Sequence, residues 1–193
     1  MQLIALAIAP GIAISLFIFH RDAYNREPKL NLIISFVLGM LVIFPTAWAE
    51  QYFSHLFDKS IAGTALSAFF GVALIEELAK LMVLRWYAYP RKSFDEPLDG
   101  IVYAVMVGMG FASLENWLYV KQFGIQVGLI RMFIAVPAHA TFAILMGYYA
   151  GKAKFEPNKS GIFLFQGICW AVLFHGLYDF FVFLQNSPDL KVY

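Results

Sequence analysis

The stretch GVALIEELAKLMVL, residues 71–84, decides how this chain is read. Most of it is apolar enough for the interior of a bilayer, yet its middle carries two adjacent carboxylates, Glu76 and Glu77, and the ammonium of Lys80. Each such charge is unfavourable at the bilayer centre by about 2.5–3.5 kcal/mol on insertion scales. A spanning helix that keeps all three needs partners for them and a use for them.

The surrounding sequence makes the membrane setting general. The 193 residues are 61% hydrophobic, 18% aromatic and 14% charged, against about 25% charged residues in soluble domains. Apolar runs near the ~20 residues that cross a ~30 Å hydrocarbon core recur at 3–19, 30–49, 62–87, 98–120, 128–150 and 161–184. The expected fold is an all-α polytopic membrane bundle of about six to eight helices. It forms a single integral membrane domain over 1–193, with its motif-bearing core at 62–184. The first run lacks a basic stretch before it and reads as a retained helix rather than a cleaved signal. A formal net charge of +1 gives no electrostatic case for nucleic acid, and the lone Cys169 can form no internal disulfide.

Short polar loops separate the runs. Arg21, Arg26, Lys29, Arg85, Arg91, Lys92, Lys152, Lys154 and Lys159 fall in the odd-numbered loops, against Lys59, Lys121, Lys191 and Arg131 on the other side. The positive-inside rule therefore places the odd loops in the cytoplasm and both termini outside. Arg131 reads as an interfacial anchor, with a position facing the site as the alternative.

Glu76 and Lys80 are i,i+4 with the glutamate N-terminal, the favourable order for a helical pair. Glu77 points about 100° away, so it shares the same lysine at i,i+3 without full neutralisation. Further charges follow in other spans. GFASLENW (110–117) brings Glu115 and Asn116, VPAHA (136–140) brings His139 beside Pro137, and FHGLYDFF (174–181) brings His175 and Asp179 on one face. Gly100, Ala104, Gly108 and Ala112 recur every four residues, a stripe that lets a neighbouring helix approach closely. Counted at about 1.5 Å per residue, Glu115, His139 and His175 all fall in the outer half of the core.

Carboxylates and histidines without an activated serine or cysteine point to general-base activation of water. No HExxH or GxSxG occurs. The same side chains are ordinary zinc ligands, so a divalent metal on His175, His139 and Glu76 stays open beside a metal-free site. A non-catalytic scaffold, or a proton-coupled transporter using the buried Glu/His/Asp set, is the competing reading.

EELAK (76–80), FASLEN (111–116), His139 followed by Gly147, and HGLYD (175–179) together resemble the successive motifs of the PrsW family of intramembrane proteases. That family is related to the CAAX-prenyl proteases and bacteriocin-immunity proteins. The resemblance covers roughly residues 76–179, and its specificity lies in four motifs in order. It implies a multi-pass cell-membrane peptidase making the first, extracytoplasmic cut in a single-pass substrate such as an anti-sigma factor, with the lipid bilayer as its medium. It implies a glutamic-type site with Glu76 as general base, Glu77 beside it and Lys80 tuning both. Glu115 stands where the prenyl-protease relatives carry a water-orienting histidine. His175 holds the oxyanion with Asp179 as its orienter, an aspartate where those relatives have asparagine, and Asn116 or His139 supplies a further donor. No cofactor is required on this reading.

Overall fold

The computed structural model describes residues 2–185, all connected by helix and short turns with no strand among them. Lys191, used above for orientation, lies outside the described residues. Helix α1 (Gln2–Arg21) is followed by α2 (Lys29–Leu41) and α3 (Ile43–Phe53), which form one broken apolar rod with the break at Val42. The third span is continuous helix from 61 to 88, built from α4 (Ile61–Leu66), a wide π-helical turn (Ser67–Ala73), α5 (Leu74–Val83) and a second π-helical turn (Leu84–Ala88). The remaining elements are α6 (Pro97–Phe123), α7 (Ile125–Phe133), α8 (Ala135–Phe155) and α9 (Ser160–Leu184).

Five of these rods are long and apolar enough to cross a membrane: Ile4–Arg21, Lys29–Leu56, Pro97–Phe123, Ile125–Phe155 and Pro157–Leu184. The sixth, 61–88, carries Glu76, Glu77, Lys80 and Arg85 within the same length. Trp48, Trp86 and Phe133 are each 73% exposed, as expected where the outer surface meets hydrocarbon and headgroups rather than water. The six apolar runs thus correspond to six helical rods, and the chain is an all-α membrane bundle.

Helix α6 is the axis of the bundle. It is the most buried rod, and α1, α2 and α8 pack around it. Small residues make that possible. A Cβ added at Gly100 would strike the backbone of Gly147 and Gly151 on α8, and one added at Gly110 would strike the backbone of Phe36 on α2. The stripe of Gly100, Ala104 and Gly108 is therefore the seam against α8, where close backbone approach substitutes for the hydrophobic drive that lipid removes.

Two boundaries differ from the sequence reading. The expected loop before the fifth span shrinks to Gly124, whose φ of +88° suits a residue without a Cβ. The fifth span starts earlier, at Ile125, and bends at Ile134, one turn before Pro137, because the proline ring cannot accept a continuing helix beneath it.

Candidate active site

Helix α5 presents its charges inward because its apolar residues Leu78 and Met82, about 40% exposed, take the lipid side. Glu76, Glu77 and Lys80 are 4%, 1% and 4% exposed. Lys80 Nζ lies 3.0 Å from Glu76 Oε2, 2.7 Å from Glu77 Oε1 and 3.2 Å from His139 Nδ1 on α8. An ammonium has three protons and no lone pair, so these contacts use all of its donors. The ring of Phe111 closes the fourth side at 4.1 Å.

That tripod fixes the tautomer of His139. Its Nδ1 can only accept from Lys80, so the proton of the neutral ring sits on Nε2, which donates to Glu115 Oε2 at 2.9 Å. The same Glu115 oxygen receives Arg131 Nη2 of α7 at 2.6 Å. Arg131 in turn lies over the ring of Tyr119 at 3.8 Å.

On the other side, His175 Nδ1 donates to Glu77 Oε1 at 2.8 Å. Its Nε2 lies 3.3 Å from Asp179 Oδ2 and 4.0 Å from Glu76 Oε2. The Asp179 approach lacks hydrogen-bond geometry, leaving Oδ2 a buried acceptor without a hydrogen-bond partner among the described residues. Phe142 stacks on the His175 ring at 4.7 Å, holding it in place.

A cavity of about 360 Å³ opens onto this array. Glu76, Glu115, Arg131, His139, His175 and Asp179 line it, and Glu77 does not. The two neighbouring glutamates therefore differ: Glu76 meets the cavity, whereas Glu77 sits behind it between Lys80 and His175.

The structure brings together Glu76, Glu77, Lys80, Glu115, His139, His175 and Asp179. It does not bring Asn116 with them. Asn116 faces the opposite side of α6, where its Nδ2 donates to the Ala7 carbonyl of α1 at 3.2 Å, because successive helical residues are rotated by about 100°. Arg131 is corrected in the other direction, from interfacial anchor to cavity wall. Glu50 was missed: it falls in the expected second loop, but α3 carries it to the cavity wall with Oε1 buried and unpartnered. Its only sequence signal is a carboxylate at the end of an apolar run.

Glu76, Glu77, His139 and His175 each offer one ligand atom, all within 4.8 Å of one another, so by residue type the cluster could hold a divalent ion. The arrangement does not fit one as it stands. Lys80 Nζ already touches three of the four residues, and a metal at about 2.0–2.2 Å from the Glu76, Glu77 and His139 atoms it contacts would overlap it. The positive centre of this cluster is the Lys80 ammonium.

Residues 27–193 match the family described as PrsW family intramembrane metalloprotease. Protease PrsW of Geobacillus kaustophilus is 36% identical over 185 residues, covering 96% of this chain and 81% of that protein. Protease PrsW of Bacillus subtilis is 35% identical over 92% of this chain and 81% of its own length, and that of Clostridioides difficile 34% identical over 96% and 81%. No solved structure matches the chain. With charged side chains gathered on packed membrane helices, a family match over most of the length and relatives at this identity, the chain belongs to the PrsW family of intramembrane proteases.

Proposed function

We propose that this chain hydrolyses a peptide bond of a single-pass membrane protein, with Glu76 as the general base. The observation that carries the reading is the inequality of the glutamate pair: Glu76 lines the cavity while Glu77 is locked behind it. Glu76 takes a proton from water and the resulting hydroxide adds to the scissile carbonyl. The oxyanion forms beside the Nε2–H of His175 in its imidazolium form, whose Nδ1–H is held by Glu77 while Asp179 supplies negative charge near the ring, and the proton held by Glu76 passes to the leaving amine. Lys80 and Glu77 hold the base and His175 in register. Arg131 and Glu115 hold His139, which keeps Lys80 in place. No step passes through a metal.

Substrate and side of cleavage extend the same proposal. The family resemblance supports an anti-sigma factor cut on its extracytoplasmic side, and the basic residues of the odd loops support cytoplasmic placement of those loops. The test is cleavage of tagged single-pass anti-sigma-type substrates in membranes by wild type, Glu76→Gln, Glu77→Gln and a surface control at matched expression. Cleavage by wild type and control but not by the glutamate variants is the expected result. Undiminished cleavage by Glu76→Gln would overturn the assignment and favour a scaffold or transport role.

A further inference from the structure

About 24 Å along α6 from Glu115, at 1.5 Å per residue, the bundle holds a second buried polar cluster that the proposed reaction does not use. Glu27 lies in the connection between α1 and α2, Asp95 in the segment before α6, and Asp99 in the first turn of α6. Each offers a carboxylate oxygen, and these lie within 4.8 Å of one another. Glu27 is 3% exposed and Asp99 0%.

Among the described residues, none of the three has an ion-pair partner. Lys154, the cation whose charge reaches them, donates instead to the carbonyls of Tyr89 and Arg91 at 2.5 and 3.1 Å and lies over the Phe94 ring at 4.5 Å. Buried charges in proteins are paired or coordinate metals. Here Lys154 acts on the three carboxylates through space, but no cation is in direct contact with them among the described residues.

A separate observation points to what is missing. Asp99 Oδ2 accepts the backbone N–H groups of Asp95 and Glu96, both at 2.8 Å, which fixes the carboxylate as the cap of α6. Its Oδ1 is fully buried and has no hydrogen-bond partner among the described residues. Beside it, Tyr103 Oη donates to Glu27 Oε2, and Asp22, bonded through Oδ2 to the Glu27 N–H, leaves its own buried Oδ1 equally without a partner. A capped helix start satisfies N–H groups. It does not explain buried acceptors left over beside other carboxylates.

We infer that Glu27, Asp95 and Asp99 form a binding site for a hard divalent cation, which ties the α1–α2 connection to the start of α6. The donors are all oxygen, with neither thiolate nor imidazole, which is the ligand chemistry of Ca²⁺ and Mg²⁺ rather than of zinc. Asp95 is exposed, so the ion has an entry path and room to keep water ligands. The site is distinct from the Glu76 cluster in position and donor type.

Terbium luminescence tests this on the full chain in lipid nanodiscs, with Tb³⁺ as probe and excitation through tyrosine, since Tyr103 contacts Glu27. The expected result is saturable sensitised emission in wild type and in Glu76→Gln, displaced by Ca²⁺ or Mg²⁺, with the more effective competitor identifying the ion. Tb³⁺ affinity should fall at least tenfold in Asp95→Asn, whose exposed side chain accepts a hydrogen bond from Asn25 at 2.6 Å and can change without loss of fold. Glu27→Gln should behave likewise. Equal affinity in wild type and Asp95→Asn, emission lost only in Glu76→Gln, or no sensitised binding in wild type would each overturn the assignment.

Discussion

Arg131 Nη2 stands 2.6 Å from Glu115 Oε2, joining α7 to α6 through an ion pair whose side chains are only 14% and 15% exposed. That oxygen also accepts the Nε2 proton of His139, so a residue near the end of α7 braces, through Glu115, the histidine whose tautomer Lys80 fixes. Removing one partner of a buried pair strands the other, at about 3–5 kcal/mol. Arg131→Met should therefore lower the unfolding temperature and suppress cleavage, while the double variant Arg131→Met/Glu115→Gln should regain most of the stability but not the activity. Thermal unfolding and cleavage of the two variants check this; a single variant as stable as wild type would contradict it.

The glutamate pair should separate by stability. Glu76→Gln removes the proposed base, and general-base loss lowers rate about 10²–10⁴-fold, but Lys80 keeps Glu77 and His139 as partners. Glu77→Gln weakens the contacts to both Lys80 and His175. It should lose activity and unfold at a distinctly lower temperature. Side-by-side melting curves and cleavage rates are the measurement.

Chelation should leave wild-type cleavage unchanged, because the Lys80 ammonium occupies the centre of the Glu76, Glu77, His139 and His175 cluster. Lys80→Met, by contrast, should expose the four donors and purify with bound zinc. Metal analysis with activity before and after chelation decides it. Activity lost on chelation and restored by zinc would mean that Lys80 yields its place to the metal.

The α6–α8 seam should tolerate no added side chain. Gly147→Val would drive a branched group into the backbone of Gly100 and Ile101 and should destabilise by about 1–3 kcal/mol or more. At Gly161, where an added Cβ meets nothing within 4 Å, alanine should be neutral or slightly stabilising. The paired unfolding temperatures test whether close approach, rather than glycine itself, is what matters.

At the other end, burial pushes the Glu27 carboxyl above its ordinary value of 4.5, outweighing the hydrogen bonds from Tyr103 and Ser93, with Asp22 and Asp95 adding to the rise. Asp99 and Lys154 are the remaining charges in range. A carboxyl raised in the folded state contributes stability that is present below 4.5 and lost as pH rises through its raised value. With divalent ions chelated, acidification from neutrality through that window should therefore raise the unfolding temperature, and Glu27→Gln should flatten the response. Saturating the site with the ion should reverse the slope, since proton and cation compete for the same oxygens.

Much of this protein was legible without coordinates. Runs such as 98–120 and 161–184 can satisfy their backbone in a bilayer only as helices, so the all-α membrane bundle followed from composition and run length. Charges placed within four of those runs named most of the polar side chains that cluster at the cavity, because polar side chains in hydrocarbon persist only where they meet one another. The stripe of Gly100, Ala104 and Gly108 identified the packed face of α6. What periodicity left open was the neighbour each face would meet. Asn116 follows Glu115 directly yet serves α1, while Arg131 and Glu50, at the ends of their apolar runs, turn into the cavity. Helical spacing determines angles within one rod. The sharing of Lys80 among Glu76, Glu77 and His139, and the seclusion of Glu77 behind Glu76, arise only when separate rods dock, because the partners lie as far as 98 residues apart and backbone contact at a few glycines sets their approach.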